Sequence, residues 1–254
     1  MKILVTFALE NEFAPWRKLR AFRPGVWGAA KAWFAELECA ELGVVLTGVG
    51  PKRAGAKASE VTWGEYDNVD VCISSGFAGS LRQEHQAGQV LVAKSVSSGG
   101  EPGRVLDCDT SFVALAAQQG ARAIERLHTV DHVVTTATEK NFLGKQADAV
   151  DMESFEVILE SEAFGIRSVA IRAVSDTLNE DLPFDLNAVI AEGRVSVPRV
   201  MSQLVRRPQA LPALVRLGRR SSAAAEALAK FLDGYVQAIA QGTTEAAPQA
   251  AAAR

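Results

Sequence analysis

Short apolar runs rich in β-branched residues recur along this chain, separated by longer stretches of helical character, and that alternation restricts the fold to α/β layers. The runs at 3–9 (ILVTFAL), 43–48 (GVVLTG), 69–75 (VDVCISS), 88–96 (GQVLVAKSV) and 168–175 (SVAIRAVS) read as strands. Helices are expected over Glu12–Phe22, Pro51–Trp63, Thr110–Gln119, Met152–Phe164, Ala188–Leu204 and Ser222–Ile239. Pro51 suits a first helical turn, where its missing N–H has no intrahelical partner. No repeat and no Pro/Gly/Ser linker divides the 254 residues, so one domain is expected over 1–242, with the Ala-rich 243–254 as a disordered tail.

Charge narrows the partners. Against 30 Asp+Glu stand 27 Lys+Arg, a formal net charge of −3, which gives no global attraction for nucleic acid. No apolar run approaches the roughly 18–20 residues that span a bilayer. The run 3–9 is preceded by a single basic residue, Lys2, and leads into Glu10 and Glu12, so it reads as neither signal peptide nor anchor. Cys39, Cys72 and Cys108 are odd in number and widely spaced, with no CxxC pair, which points to a reducing, cytoplasmic setting. His128 and His132 have helical metal-ligand spacing, but their segment TVDHVVTTAT is β-branched and reads as strand or loop; no metal and no cofactor is expected. One stretch departs from the average. Between Gly193 and Arg220 lie seven arginines and no acidic residue, interleaved with Val, Leu and Met. It reads either as a solvated helical face or as a basic amphipathic surface for a membrane, an anionic lipid or a partner.

In open α/β sheets, ligands sit beyond the carboxyl ends of the strands. Here those ends present Glu10-Asn11-Glu12, Gly48-Val49-Gly50-Pro51, Gly76-Phe77-Ala78-Gly79-Ser80 and Ser175-Asp176-Thr177. Each carboxylate alone fits a helix-terminal or turn role as well as a chemical one; their recurrence at strand ends favours chemistry. The glycines complete no phosphate fingerprint. GVGPKR places Arg53 where the third glycine of GxGxxG would fall, and Ala56 interrupts the GK pair of a P-loop. No GxSxG occurs, which argues against a serine hydrolase. A carboxylate-rich, phosphate-poor pocket suits proton transfer together with stabilisation of a cationic transition state, the two needs of glycosidic cleavage.

The strings Ala8-Leu9-Glu10-Asn11-Glu12, Leu46-Thr47-Gly48-Val49-Gly50, Ser75-Gly76-Phe77-Ala78-Gly79, Val150-Asp151-Met152-Glu153-Ser154 and Arg172-Ala173-Val174-Ser175-Asp176 resemble, in order and spacing, the successive motifs of the nucleoside phosphorylase-I superfamily. Within it, the chain is most similar to the methylthioadenosine/S-adenosylhomocysteine nucleosidases. The resemblance implies a three-layer α/β/α fold with a central mixed sheet, assembled as a homodimer, acting on a small-molecule nucleoside and not on nucleic acid. It also implies roles. Asp176 would protonate purine N7, with Ser175 holding it, and Glu12 would orient and deprotonate the attacking water. Glu153 would bind the ribose hydroxyls beside Met152. Phe142 would stack on the base while the backbone of Leu143 reads its edge, and Gly50, Phe77, Ala78 and Gly79 would complete the substrate site. On these roles Asp176 has to be protonated near neutrality, through burial, and Glu12 ionised.

Phosphorylases of this superfamily carry an arginine and a serine at the positions that here are Ser74 and Phe77. Losing a bidentate guanidinium and a hydroxyl donor favours hydrolysis over phosphorolysis, although Lys52 or Arg53 would be placed to rebuild an anion site. Phe77 also stands where nucleosidases carry a small polar residue, which leaves open a non-catalytic nucleoside-binding protein. Some 75 residues follow Asp176. In this the chain resembles the longer, hopanoid-associated members, which act on an adenosylated lipid, and residues 193–220 would then offer the peripheral membrane contact.

Overall fold

Residues along the first strand, β1 (Lys2–Phe7), alternate between two cores: Ile3, Val5 and Phe7 enter one and Leu4 the other. A strand buried on both faces belongs in the middle of a layered α/β structure. The computed structural model describes residues 1–61, 69–99, 103–182, 187–191, 194–195, 197–206 and 208–246. Beyond β1, the strands of the main sheet are β2 (Arg23–Trp27), β3 (Ala30–Glu36), β4 (Glu41–Leu46), β5 (Val71–Ser80), β6 (Val90–Ser98), β7 (Arg104–Asp107), β8 (Arg122–Thr129), β9 (Ala149–Asp151) and β10 (Arg167–Asp176). The helices are α1 (Glu10–Leu19), α2 (Pro51–Glu60), α3 (Thr110–Gln118), α4 (Ala137–Leu143), α5 (Ser154–Ala163), α6 (Val197–Arg206) and α7 (Leu211–Ala246).

These ten strands form one mixed sheet, as the resemblance implies, with a closure that it did not specify. Pairing runs β5–β10–β6–β8–β9 and returns to β5, while β1, β4, β3 and β2 extend outward from β5. β5 is the hinge of this arrangement. Its residues 71–74 pair in parallel with β1, and its last two, Gly79 and Ser80, pair with β9 antiparallel. Where β1 leaves the edge and β9 takes it over, the strand ends splay, the switch point at which α/β sheets bind ligands.

Phe13 and Trp16 of α1 and Ala224, Leu228 and Leu232 of α7 cover one face; Ala54 and Ala58 of α2 and Val157 of α5 cover the other. Trp16 Nε1 and Arg20 Nε both donate to Asp233 Oδ1, at 3.0 and 2.8 Å, tying α1 to α7.

The largest departures from the sequence reading lie at the C-terminal end. The helix expected over Ala188–Leu204 is instead a short 3₁₀ turn (Asn187–Val189), a two-stranded ladder (Ile190–Ala191 with Arg194–Val195) and α6. Pro198 marks the first turn of α6, where proline is tolerated. The helix expected over Ser222–Ile239 begins eleven residues earlier and runs to Ala246, since Leu211–Ser221 carries helix-favouring Leu, Ala and Arg with its one proline in the first turn. Residues 243–246, assigned to the tail, are therefore helical; 247–254 lie outside the described residues. The arginine-rich run is spread over several elements. Arg194 sits in the ladder, Arg199 and Arg206 in α6, and Arg216, Arg219 and Arg220 in α7, while Arg207 lies outside the described residues. Arg220 is paired with Glu180. Among the described residues no helix is long and apolar enough to cross a membrane.

Candidate active site

The splayed strand ends enclose a cavity of about 550 Å³. Its floor is made by Ala8 and Leu9 after β1, Phe77-Ala78-Gly79 of β5, Val150 to Glu153 around the end of β9, and Ser175 and Asp176 at the end of β10. Glu12, from the first turn of α1, lines it as well.

Glu12 is buried and held at both oxygens: Oε2 accepts from Leu9 N–H at 2.8 Å and Oε1 from Phe77 N–H at 3.0 Å. Burial pushes its pKa up, opposed by these backbone donors and by the Arg172 guanidinium. Glu153 is also buried. It is the N-cap residue of α5 rather than a first-turn residue, yet its side chain does not cap its own helix; Oε1 accepts from Gly50 N–H, at the N-terminus of α2, at 2.9 Å. Desolvation raises its pKa strongly, helped by the negative charge of Asp151. Gly50 thus acts through the backbone, with φ +101, and the neighbouring Val49 lines the cavity.

Asp151, absent from the residues proposed on sequence, organises this corner. Its Oδ1 accepts from Thr129 Oγ1 at 2.6 Å, and its Oδ2 accepts from Ser154 N–H at 3.0 Å and from Arg172 Nε and Nη2 at 2.9 and 2.7 Å. Both side chains are almost wholly buried. Arg172 Nη2 also donates to Ser74 Oγ at 3.0 Å. The guanidinium is therefore consumed inside the protein, at the back of the position where a phosphate would need one.

Asp176 is placed by a register shift in the β5–β10 ladder between Val174 and Asp176, a bulge that re-aims the strand end. Ser175 Oγ lies 2.7 Å from Asp176 Oδ1 and 3.3 Å from the carbonyl of Ala78. Asp176 Oδ2 pairs with Lys140 Nζ at 2.5 Å. Asp176 therefore faces a lysine side chain, while the two glutamates are held by backbone donors. Met152 is half-buried in the cavity wall.

Two expectations fail. Phe142 is 60% exposed on α4, with Lys145 Nζ 5.6 Å from its ring centre, and it does not reach the cavity. Leu143 packs against Leu81, Val134, Ala147 and Val150 in a separate small core. Val130, His132, Val133 and Val134, from the segment between β8 and α4, do line the cavity. An aromatic beside a leucine was a false cue: on a helix Phe142 and Leu143 point in different directions, and only Leu143 faces inward. Lys52 and Arg53 are exposed and are not among the described residues that line the cavity. His128 does not converge with His132: its Nδ1 lies 2.9 Å from Ser97 Oγ, while His132 pairs with Asp131 and Glu139.

The far side of the cavity was invisible in the sequence. Leu214, Leu217, Gly218, Ser221 and Ser222 of α7 line it, together with Leu182, Val189 and Val200. The α7 positions follow i, i+3, i+4, i+7, one face of a helix. Leu214, Leu217 and Gly218 lie in the stretch singled out for its arginines, and Ser221 and Ser222 directly follow it.

A phosphorylase superfamily model matches residues 2–207. The fold is shared with solved structures at low identity. Futalosine hydrolase of Helicobacter pylori is 19% identical, with 93% of this chain and 98% of that chain covered and a TM-score of 0.70. The 5′-methylthioadenosine/S-adenosylhomocysteine nucleosidase of the same organism, solved in complex with a pyrrolopyrimidine compound, is 19% identical over 93% and 97%, TM-score 0.71. That of S. pneumoniae, solved with a transition-state inhibitor, is 16% identical over 94% and 100%, TM-score 0.71. With four-fifths of its length matched by the family model and this architecture around the cavity, the chain belongs to the phosphorylase superfamily.

Proposed function

We propose that the protein hydrolyses the N-glycosidic bond of a purine nucleoside, an adenosine derivative whose 5′ substituent is apolar. The observation that carries the reading is the pairing of three carboxylates around one cavity, Glu12 and Glu153 on one side and Asp176 on the other, with Arg172 already neutralised by Asp151. Cleavage develops positive charge on the sugar, which the two glutamates stabilise. Glu12, its pKa raised toward neutrality and its oxygens aimed by two backbone donors, takes the proton of the attacking water. Glu153 accepts from the ribose hydroxyls, and Asp176 delivers the proton that lets the base leave neutral. A phosphate dianion would meet Glu12 and Glu153 with no guanidinium among the described residues that line the cavity to offset them, which favours water as the nucleophile.

The apolar rim of Leu182, Val200, Leu214 and Leu217 supports the 5′ assignment. A thioether or longer alkyl group would be desolvated there. The test is incubation with 5′-methylthioadenosine, S-adenosylhomocysteine, inosine and futalosine, with and without phosphate, and chromatography for free base. Release of adenine independent of phosphate is expected. Phosphate-dependent release would make the enzyme a phosphorylase, and tight binding with no release would make it a binding protein. Among 5′-alkylthio adenosines, KM should fall by up to about fourfold per methylene, the equivalent of ~0.8 kcal/mol, until the rim is filled. A series with no such trend would remove the apolar 5′ assignment.

A further inference from the structure

Lys140 is fully buried and belongs to none of the motifs read from the sequence. Its ammonium has three protons and three acceptors: the carbonyls of Thr177 and Glu180 at 2.8 and 3.1 Å, and Asp176 Oδ2 at 2.5 Å. A lysine in a water-free site is held charged only by partners of this kind. It comes from α4, a short helix whose other side is solvent-exposed at Phe142, and it reaches across to fix the strand end and the turn that follows it. Gly79 completes the arrangement, since a Cβ there would stand 3.0 Å from Asp176 Oδ2.

We infer that Lys140 is the positioning residue that makes Asp176 an acid: it fixes the carboxylate and holds the proton that Asp176 passes to the leaving base. This rests on the nucleosidase reading above. In the open site the pair is an ammonium and a carboxylate. A bound nucleoside removes water from the mouth of the cavity, and desolvation favours the neutral pair over the ionic one. The Nζ–H bond then breaks as Oδ2–H forms. Next Oδ2–H breaks as N7–H forms, while the N9–C1′ bond gives its electron pair to the base. The water proton goes to Glu12, and after the products leave Glu12 releases that proton to solvent while Lys140 takes one up, so both groups return to their starting states. The pair thus supplies an acid only when a substrate covers it.

The test compares two leaving groups. 5′-Methylthioadenosine needs a proton on its base; p-nitrophenyl riboside does not. In Lys140→Met, kcat for 5′-methylthioadenosine should fall by about 10²-fold or more, within the usual range for a general acid, with KM changed by less than about threefold. Cleavage of p-nitrophenyl riboside should stay within about threefold of the parent. Equal losses on both substrates, or no loss on the first, would overturn the proposal. The second measurement uses Lys140→Gln, which keeps a hydrogen-bonding side chain in the pocket: in an Asp176→Asn background it should cost no further kcat, and an additional tenfold loss would show that Lys140 acts apart from Asp176. A parent enzyme that releases no base from any purine nucleoside fails the nucleosidase reading itself, before any variant is made.

Discussion

A Cβ added to Gly76 would stand 3.0 Å from Glu12 Oε1. The carboxylate lies directly against the β5 backbone, in the space that a side chain would take, and Gly76 holds a φ of +144 that L side chains rarely adopt. The glycine of Ser75-Gly76-Phe77 therefore serves the carboxylate from α1 and the donor geometry of Phe77 N–H together. Gly76→Ala should cost about 1–3 kcal/mol from backbone strain, and it should lower kcat by displacing Glu12 as well. Thermal melts and steady-state kinetics check both. A variant with parental kcat would separate Glu12 from its seat on β5.

The buried glutamates lower stability where they are ionised. Glu153 has its pKa raised in the folded protein above that of the unfolded chain, so the folded state is favoured relatively at pH values below the unfolded value, and that contribution is lost as pH rises through the folded value. Glu153→Gln removes the titration. It should melt at a higher temperature than the parent at pH 8, the gap should close toward pH 4, and cleavage should be impaired at every pH. Melting curves across this range decide it, and a gap that widens on acidification would contradict the assignment.

Catalysis carries the same signature on the acid side. With Glu12 as base and its pKa raised by burial, kcat/KM should fall as Glu12 gains its proton, at a pH above the ordinary glutamate value of about 4.3. Glu12→Gln should lose about 10²–10⁴-fold in kcat. An acid limb that survives in Glu12→Gln would have to belong to another group.

How far the sequence reached follows from what each residue answers to. Glu12 and Asp176 could be read at strand ends, since the runs 3–9 and 168–175 were legible as strands, whereas the three-residue β9 was too short to show and Glu153 came only from the resemblance of its motif. Asp151 and Arg172 stood inside two of the quoted motifs, but their mutual 2.7 Å contact joins positions 21 residues apart and shows only in three dimensions. Lys140 gave no signal, since a lone lysine in a polar helical stretch reads as a surface residue. The valines at 130, 133 and 134 were read as strand or loop, and their role depends on where the segment after β8 turns. The arginine-rich stretch was read by its charge, and two of its leucines, Leu214 and Leu217, spaced for one helical face, line the cavity.

The cavity wall formed after β8 offers a clear separation between sequence cue and structure. Phe142 is exposed and its neighbour Lys145 lies over its ring, so Phe142→Ala is a surface truncation, worth within about ±0.5 kcal/mol; KM for a purine nucleoside should change by less than about 2.5-fold. Val134 is 5% exposed and lines the cavity. Val134→Asp would place a carboxylate against the faces of the substrate and beside the apolar cluster of Leu81, Ala147 and Val150, and burying that charge unpaired costs several kcal/mol unless it takes up a proton. KM for the nucleoside should rise by tenfold or more in Val134→Asp. The milder Val134→Ala, which opens space without charge, should raise KM by only a few-fold and keep the fold intact. Steady-state kinetics of the three variants on one nucleoside measure the contrast. A large KM effect in Phe142→Ala with none in Val134→Ala would return the base to α4 and away from the wall formed after β8.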